Sequence, residues 1–569
     1  MDYRARMANV EELLRQRLAP AFEAIAGGPV DPALRRSQHA DFQADGALAL
    51  ARRLGRNPRE VAAKVAQQAR LDDVCARVEL AGPGFLNLTL RDETLGALLE
   101  EIDRDERLGI APTEAPEVVT VDYSHPNVAK EMHVGHLRST VIGDAVVRLL
   151  EWLGHDVRRF NHLGDWGTPF GMLIEHLLDI GEAEAAQELS VGDLTTFYQA
   201  ARRKFDDSPQ FQERARARVV ALQGGDETTN RLWRLLVAQS QRYFMAVYDR
   251  MDVRLTDADF FGESAYNDAL VPVVEELDQR GLLRDSEGAR CAFPAGFTGR
   301  DGAPQPIIVQ NSVGGFGYGA TDLATIRYRT QELHATRLLY VVGLPQSQHL
   351  AMVFQTAREA GWLAAPARAE HVGFGNVLGA DGKMLKTRAG ATVKLIDLLD
   401  EAVVRARTQA GNDDAVARAV GIGAVKYADL STDRTKDYVF DLDRMLALDG
   451  NTAPYLQYAH ARVRSIFRRA GIEPPRGRVV IAEPAERALA LELLAFDPVV
   501  REVERTLEFH RLANHLYRVA STFTTFYETC PVLRADEPLR TSRLVLCDLT
   551  ARTLKLGLNL LGITAPDRM

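Results

Sequence analysis

From Val118 onward, short runs of apolar and β-branched residues alternate with longer stretches whose apolar positions recur every three or four residues. The short runs are "VVTVDY" (118–123), "DVRRFN" (156–161), "PIIVQN" (306–311), "RLLYVVGL" (337–344) and "EHVGFGNVL" (370–378). In the first longer stretch, Ile142, Val146, Leu149 and Leu153 trace a helical stripe that Gly154 ends. This alternation predicts an α/β fold, a parallel sheet flanked by helices, in one domain over about 113–408. Within it, about 165–285 reads mostly as helix, an insertion into the sheet domain. Upstream, a helical and strand-like segment ends in "GPGFLNLTL" (82–90) before the Pro-rich break "APTEAP" (111–116), which sets off residues 1–112 as an α+β domain. After about 410, "AVGIGAVKYADL", "APYLQYAHARVRSIFRR" and "CDLTARTLKLGLNLLG" keep helical periodicity and strands nearly stop, so 409–569 is expected to be all-α.

Composition narrows the function classes. A chain of 569 residues, 46% hydrophobic, is long enough to bury several cores and is neither disordered nor fibrous. Its four cysteines, Cys75, Cys291, Cys530 and Cys547, are widely spaced without a CxxC pair, so a disulfide framework and a structural thiolate zinc site are both disfavoured. The N-terminus mixes charges through its apolar positions, and no run of about 18 apolar residues occurs, so neither a signal peptide nor a membrane span is expected. A cytoplasmic location fits. The formal charge of −9 argues against a surface that coats nucleic acid, while leaving room for local basic faces.

The chemistry concentrates in "NVAKEMHVGHLRST" (127–140). "VVTVDY" reads as a buried strand and Pro126 forces a turn, so His133 and His136 stand where a loop enters a helix. Backbone N–H groups at such an end attract anions, Gly135 permits close approach, and residues three apart on one turn face the same way. A nucleotide phosphate is the ligand this suits. Zinc is the rival, but HExxH with a further ligand is missing; the bland alternative is two solvated or core-satisfied histidines.

Two motifs in order decide among these. "SHPNVAKEMHVGHLRST" resembles the HIGH motif of class I aminoacyl-tRNA synthetases, in the version of the arginyl-tRNA synthetase family, and Lys383-Met384-Leu385-Lys386-Thr387 in "DGKMLKTRAGATVKL" resembles a relaxed KMSKS loop. "NHLGDWGTPFGML", "TAPYLQYAHARVRSI" and the terminal "LTARTLKLGLNLLGITAPDRM" are similar to the same family. Departures are Val134 for isoleucine, Leu385 and Thr387 for the two serines, and His125 where a small residue is common. The resemblance implies a Rossmann-like catalytic domain, a tRNA-contacting N-terminal domain and a helical anticodon-binding domain. It also implies arginine activation by ATP that waits for tRNA. Catalysis would then rest on positioning and charge stabilisation by His133, His136, Lys130 and Lys386, with Lys383 supporting; His133, Gly135, His136, Lys383 and Lys386 would bind ATP, which carries in Mg²⁺.

By the same resemblance Tyr318 and Asp322 in "FGYGATDL" and Glu263 in "FFGESAY" would read the guanidinium of arginine, and Asp122, Asn127 and Gln346 would hold its amino and carboxylate groups. The bland alternatives are a helix cap for Asp322 and an exposed loop acid for Glu263. In the "APYLQYAHARVRSIFRR" stretch, Tyr455, Tyr458, Arg462 and Arg464 lie in a run without an acid, suited to unpaired tRNA bases, against the alternative of an ordinary helix with core tyrosines and a solvated basic face. A monomer is expected. The competing functions are another HIGH-type adenylyl transferase and a non-catalytic tRNA-binding paralogue.

Overall fold

The computed structural model describes residues 9–181, 194–312, 314–385, 393–410 and 413–569. Its N-terminal unit comprises α1 (Val10–Ala26), β1 (Leu34–Arg36), β2 (Phe42–Ala44), α2 (Gly46–Leu54), α3 (Pro58–Gln68), β3 (Cys75–Ala81), β4 (Phe85–Leu90) and α4 (Asp92–Arg104). The sheet runs β1-β2-β4-β3 and is antiparallel throughout. Leu86, Leu88 and Leu90 of β4 are buried on one face, as the two-residue period of a strand requires.

Past the Pro-rich break, β5 (Val118–Asp122), α5 (Val134–Leu153) and β6 (Asp156–Phe160) form a βαβ unit. A helical excursion follows: α6 (Thr168–Ile180), α7 (Leu194–Asp207), α8 (Pro209–Gln223), α9 (Glu227–Met251) and α10 (Asn267–Gln279). Next come β7 (Leu283–Ser286), β8 (Ala289–Ala292), β9 (Ile307–Gln310), α11 (Tyr318–Gln331), β10 (Arg337–Tyr340), α12 (Ser347–Glu359), β11 (Arg368–His371) and β12 (Val377–Leu378). The central sheet has the order β11-β10-β5-β6 with every pair parallel. Val119, Thr120, Val121, Leu338 and Leu339 are buried whichever way they point, because helices cover both faces. From β5 the chain crosses to β6 on one side, and from β10 to β11 on the other. The crevice at the C-terminal ends of β5 and β10 is therefore a topological switch point, the place where such sheets bind ligands.

Two of the expected strands fall elsewhere. "PIIVQN" forms β9, which joins β7 and β8 in a separate antiparallel sheet. Ile307 and Val309 are buried while Ile308 is exposed, the alternation of a one-sided strand. "EHVGFGNVL" divides: its first residues end β11, and its last form β12, paired with β13 (Tyr438–Val439).

The helices that follow are α13 (Leu395–Ala406), α14 (Asp414–Leu430), α15 (Leu442–Met445), α16 (Ala453–Ala470), α17 (Pro484–Leu494), α18 (Phe496–Thr506), α19 (Phe509–Thr529) and α20 (Leu539–Leu560). Although periodicity assigns α14 to the all-α domain, it lies against α5: Arg138 pairs with Asp429 at 3.2 Å and Lys426 stands 3.8 Å from Asp144, all four buried. Helix α5 is thus covered on nearly every side, which keeps its N-terminus in place. The N-terminal unit is tied to the C-terminal helices by Asp103 with Arg476 (2.5 Å) and Arg552 (3.2 Å), and by Arg36 with Glu492 (2.9 Å). Among the described residues no helix is long and apolar enough to cross a membrane.

Candidate active site

At the switch point Asp122, the last residue of β5, lies opposite Tyr340, the last of β10. The loop beyond β5 is strained: Ser124 (φ 80°), His125 (φ 53°) and Ala129 (φ 59°) are non-glycine residues in the left-handed region. Buried hydrogen bonds hold it there. Ser139 Oγ accepts from the Ser124 N–H (2.8 Å), Ser240 Oγ accepts from the Ala129 N–H (2.9 Å), and the Ser124 and Tyr248 hydroxyls bond at 2.7 Å. The loop presents Asn127, exposed, with its Oδ1 only 2.5 Å from where a Cβ on Gly164 would stand.

His133 and His136 cap the helix that follows. His133 is the N-cap of α5; its Nδ1 accepts from the Gly135 N–H (3.0 Å), and His136 Nδ1 accepts from the His133 N–H (3.1 Å). This reciprocal box is built from two imidazoles where Ser/Thr and Glu/Gln are usual. A Cβ on Gly135 would stand 2.7 Å from His133 Cε1, so glycine is needed for the cap itself. Because both Nδ1 atoms accept, the neutral rings carry their protons on Nε2. Burial and the neighbouring His133 lower the His136 pKa to about 3, and burial with the charge of Lys130 lowers that of His133. At neutral pH the pair are therefore neutral N–H donors. The positive charge comes from Lys130, exposed and 4.3 Å above the Tyr198 ring. Lys383 is exposed in the turn after β12, and Lys386 lies outside the described residues. The segment after that stretch returns to the motif, with Val134 donating to the Val393 carbonyl (3.2 Å) and Leu395 to that of Met132 (2.9 Å).

Carboxylates collect beside the capped helix end. Asp122 is buried, and both its oxygens are taken, Oδ1 by His125 Nε2 (2.7 Å) and Oδ2 by Arg329 (2.6 Å). Burial alone would raise its pKa, but Arg329 and His125 hold it far below the carboxylate range. Both Asp122 oxygens are thus engaged within the protein, and the half-buried His125 lies on the more exposed side of it. Glu263, in the 3₁₀ turn Glu263–Tyr266, is half-buried, and burial together with the charges of Asp165 and Asp322 raises its pKa to about 7. It is not an exposed loop acid. Asp322 is the fifth residue of α11, whose N-cap is Gly317, so the capping alternative is excluded. One turn earlier Tyr318 is 75% exposed at the mouth, and Gln346 is exposed in the turn leading into α12. Sequence reasoning missed Arg329, His162 and His349. Arg329 is buried and His162 half-buried, and His349, three residues after Gln346, donates from Nε2 to Asp322 Oδ2 (2.5 Å).

The basic helix α16 does not present one face. Tyr455 packs on Tyr517 (5.6 Å between ring centroids), Tyr458 is 46% exposed, and the Arg462 guanidinium lies 4.7 Å over the Tyr527 ring. Two residues on, Arg464 is turned about 200° away and pairs with Asp548 of α20 at 3.4 Å. Only Tyr455, Tyr458 and Arg462 share an aromatic-lined face. Among the described residues, no group of three or more His, Cys, Asp or Glu is arranged to hold a metal ion.

A parallel sheet with an HVGH helix end at its switch point has the architecture of a class I aminoacyl-tRNA synthetase. Family models match along the chain: "Arginyl tRNA synthetase N terminal domain" at residues 8–90, "tRNA synthetases class I (R), catalytic domain" at 98–442, and "DALR anticodon binding domain" at 456–569. The arginine–tRNA ligase of Thermobifida fusca is 56% identical, with 99% of this chain and 100% of that one covered; that of Synechococcus elongatus is 49% identical over the same shares. Among solved structures, the arginyl-tRNA synthetase of Plasmodium falciparum superposes with a TM-score of 0.85 at 28% identity (98% and 99% covered), and that of Thermus thermophilus with 0.81 at 27% (98% and 100%). The chain belongs to the arginyl-tRNA synthetase family.

Proposed function

We propose that this enzyme ligates L-arginine to its cognate tRNA, acting as a monomer in the cytoplasm. The arginine carboxylate attacks the α-phosphorus of ATP and expels pyrophosphate. A ribose hydroxyl of the tRNA's terminal adenosine then takes the arginyl group and releases AMP. What supports this reading is the N-capping pair His133 and His136 at the start of α5, together with the partly buried carboxylates Glu263 and Asp322, which feel each other's charge. His133 and His136 donate from Nε2 to the phosphates, the α5 N-terminus adds its dipole, and Lys130, Lys383 and Lys386 supply charge as negative charge builds on pyrophosphate. Mg²⁺ arrives with ATP. Asp322, Glu263 and Tyr318 read the guanidinium; Asn127 and Gln346 hold the amino and carboxylate groups, and Asp122 orients His125. The test is charging of total tRNA with each of the twenty labelled amino acids. Arginine alone is expected to be incorporated; another amino acid would favour a different adenylyl transferase, and tRNA binding without charging a non-catalytic paralogue.

Two further results are expected. ATP–pyrophosphate exchange should stay near background with ATP and arginine and rise on addition of tRNA, because the acceptor end completes the site by induced fit. Full exchange without tRNA would contradict this. Tyr455, Tyr458 and Arg462 are proposed to meet unpaired tRNA bases. Arg462→Gln should weaken tRNA binding and reduce the slope of log affinity against log salt by about one. Arg464→Gln, already paired with Asp548, should leave that slope unchanged. Equal slopes for both variants and wild type would return α16 to a structural role.

A further inference from the structure

We propose that His349 is a positioning residue that orients Asp322 for arginine and, when protonated, competes with arginine for that carboxylate. The inference rests on the reading of Asp322 as the guanidinium partner. His349 is the third residue of α12 and reaches across to α11, where its Nε2 lies 2.5 Å from Asp322 Oδ2; both side chains are partly exposed. A neutral imidazole with its proton on Nε2 donates one hydrogen bond to Oδ2, fixes the carboxylate plane and leaves Oδ1 for an incoming N–H donor. An imidazolium makes the same bond as an ion pair and cancels the charge that a guanidinium needs.

The surroundings favour this role. From the 3₁₀ turn Glu263 adds a second carboxylate that feels the charge of Asp322; from the loop after β6 comes His162, its pKa lowered by desolvation; from β10 comes Tyr340. Beneath them Arg329 is committed to Asp122. His349 is thus the group bonded directly to Asp322 whose charge can change near neutrality. The hydrogen bond to Asp322 raises its pKa above the ordinary imidazole value, and burial opposes this only in part. Protonation therefore sets in at higher pH than for an ordinary imidazole, and arginine affinity should fall as it does. Glu263, whose pKa burial and the charges of Asp165 and Asp322 raise to about 7, acts in the same direction, so the two must be separated by substitution.

The experiment is calorimetric titration of L-arginine into the full-length enzyme from about pH 5.5 to about 8.5, in two buffers of different ionisation enthalpy, for wild type, His349→Asn, His349→Gln and Glu263→Gln. For wild type, affinity should drop by up to about tenfold per pH unit for each group protonated, and binding near pH 6.5 should release protons. In the His349 variants one of those protons should be lost, the pH dependence should flatten accordingly, and affinity at about pH 8 should fall by roughly threefold to tenfold, with ATP binding unchanged. Glu263→Gln should keep the component that His349 contributes. If either folded His349 variant releases as many protons as wild type with the same pH dependence, His349 is merely structural and the proposal fails. An enzyme that binds ATP but no arginine at any pH would instead overturn the proposed function.

Discussion

Asparagine in place of Asp322 will lower kcat/KM for arginine by roughly 10²–10³, leave the apparent affinity for ATP nearly unchanged, and narrow the preference for arginine over citrulline. The size follows from removing the charge of one partner in a desolvated, hydrogen-bonded pair, a loss of about 2–5 kcal/mol. Citrulline has nearly arginine's shape without its charge. Its entry leaves Asp322 and Glu263 facing a neutral group, and sites of this kind reject such analogues by roughly 10⁴ or more without editing. The substituted amide keeps the shape and can still accept from His349, so the fold has no reason to respond. The helix-cap alternative would predict a stability loss with discrimination intact, and it is excluded by the geometry, because α11 begins at Tyr318 with Gly317 as its cap. The measurement is tRNA charging with both amino acids for wild type and variant at matched salt. Undiminished discrimination would remove Asp322 from the guanidinium pocket.

The two inner strands of the central sheet, β5 and β10, were legible because burial on both faces leaves continuous apolar runs, as in "VVTVDY" and "RLLYVVGL". "PIIVQN" misled for a specific reason: an antiparallel strand with one exposed position, Ile308, looks the same in a short window as one buried on both sides. The reach of α14 across to α5 was illegible, because Arg138, Asp144, Lys426 and Asp429 read as ordinary surface charges until the fold pairs them in the interior. The histidine pair was readable as a helix-entry site, but its charge state was not. That depends on which nitrogen each backbone N–H engages, which is settled only by the capping geometry. In α16, composition gave the arginines and rings but not their split between two faces, even though helical geometry alone places Arg462 and Arg464 about 200° apart. Arg329 and His349 escaped notice because each gains meaning only from a carboxylate far away in the chain, Asp122 for one and Asp322 for the other.

Alanine at His133 or His136 will lower the rate of adenylate formation by roughly 10²–10³ each, the usual loss when one preorganised donor to transition-state charge is removed. The double variant should fall by less than the product, since each ring helps to hold the other in the capping box and neither acts alone. Loss of the cap at His133 should cost stability only about 1 kcal/mol, so the variant remains folded and the rate change reports on chemistry. The pH profile separates a neutral donor from a cationic one. An imidazolium donor would lose activity as pH rises through its pKa. Here both pKa values lie below the ordinary imidazole value, lowered by burial and by the neighbouring His133 and Lys130, so the working neutral form is already present at neutral pH. The rate of adenylate formation at saturating arginine should therefore show no decline between about pH 6.5 and about 8 that disappears in either alanine variant. A decline there that vanishes with His133→Ala or His136→Ala would mean that the protonated ring is the donor, and the tautomer assigned from the capping bonds would have to be abandoned. The same preparations answer the metal alternative: zinc bound one-to-one and tracking activity across the variants would replace the phosphate reading, whereas activity indifferent to a zinc-selective chelator leaves the two Nε2–H groups aimed at ATP.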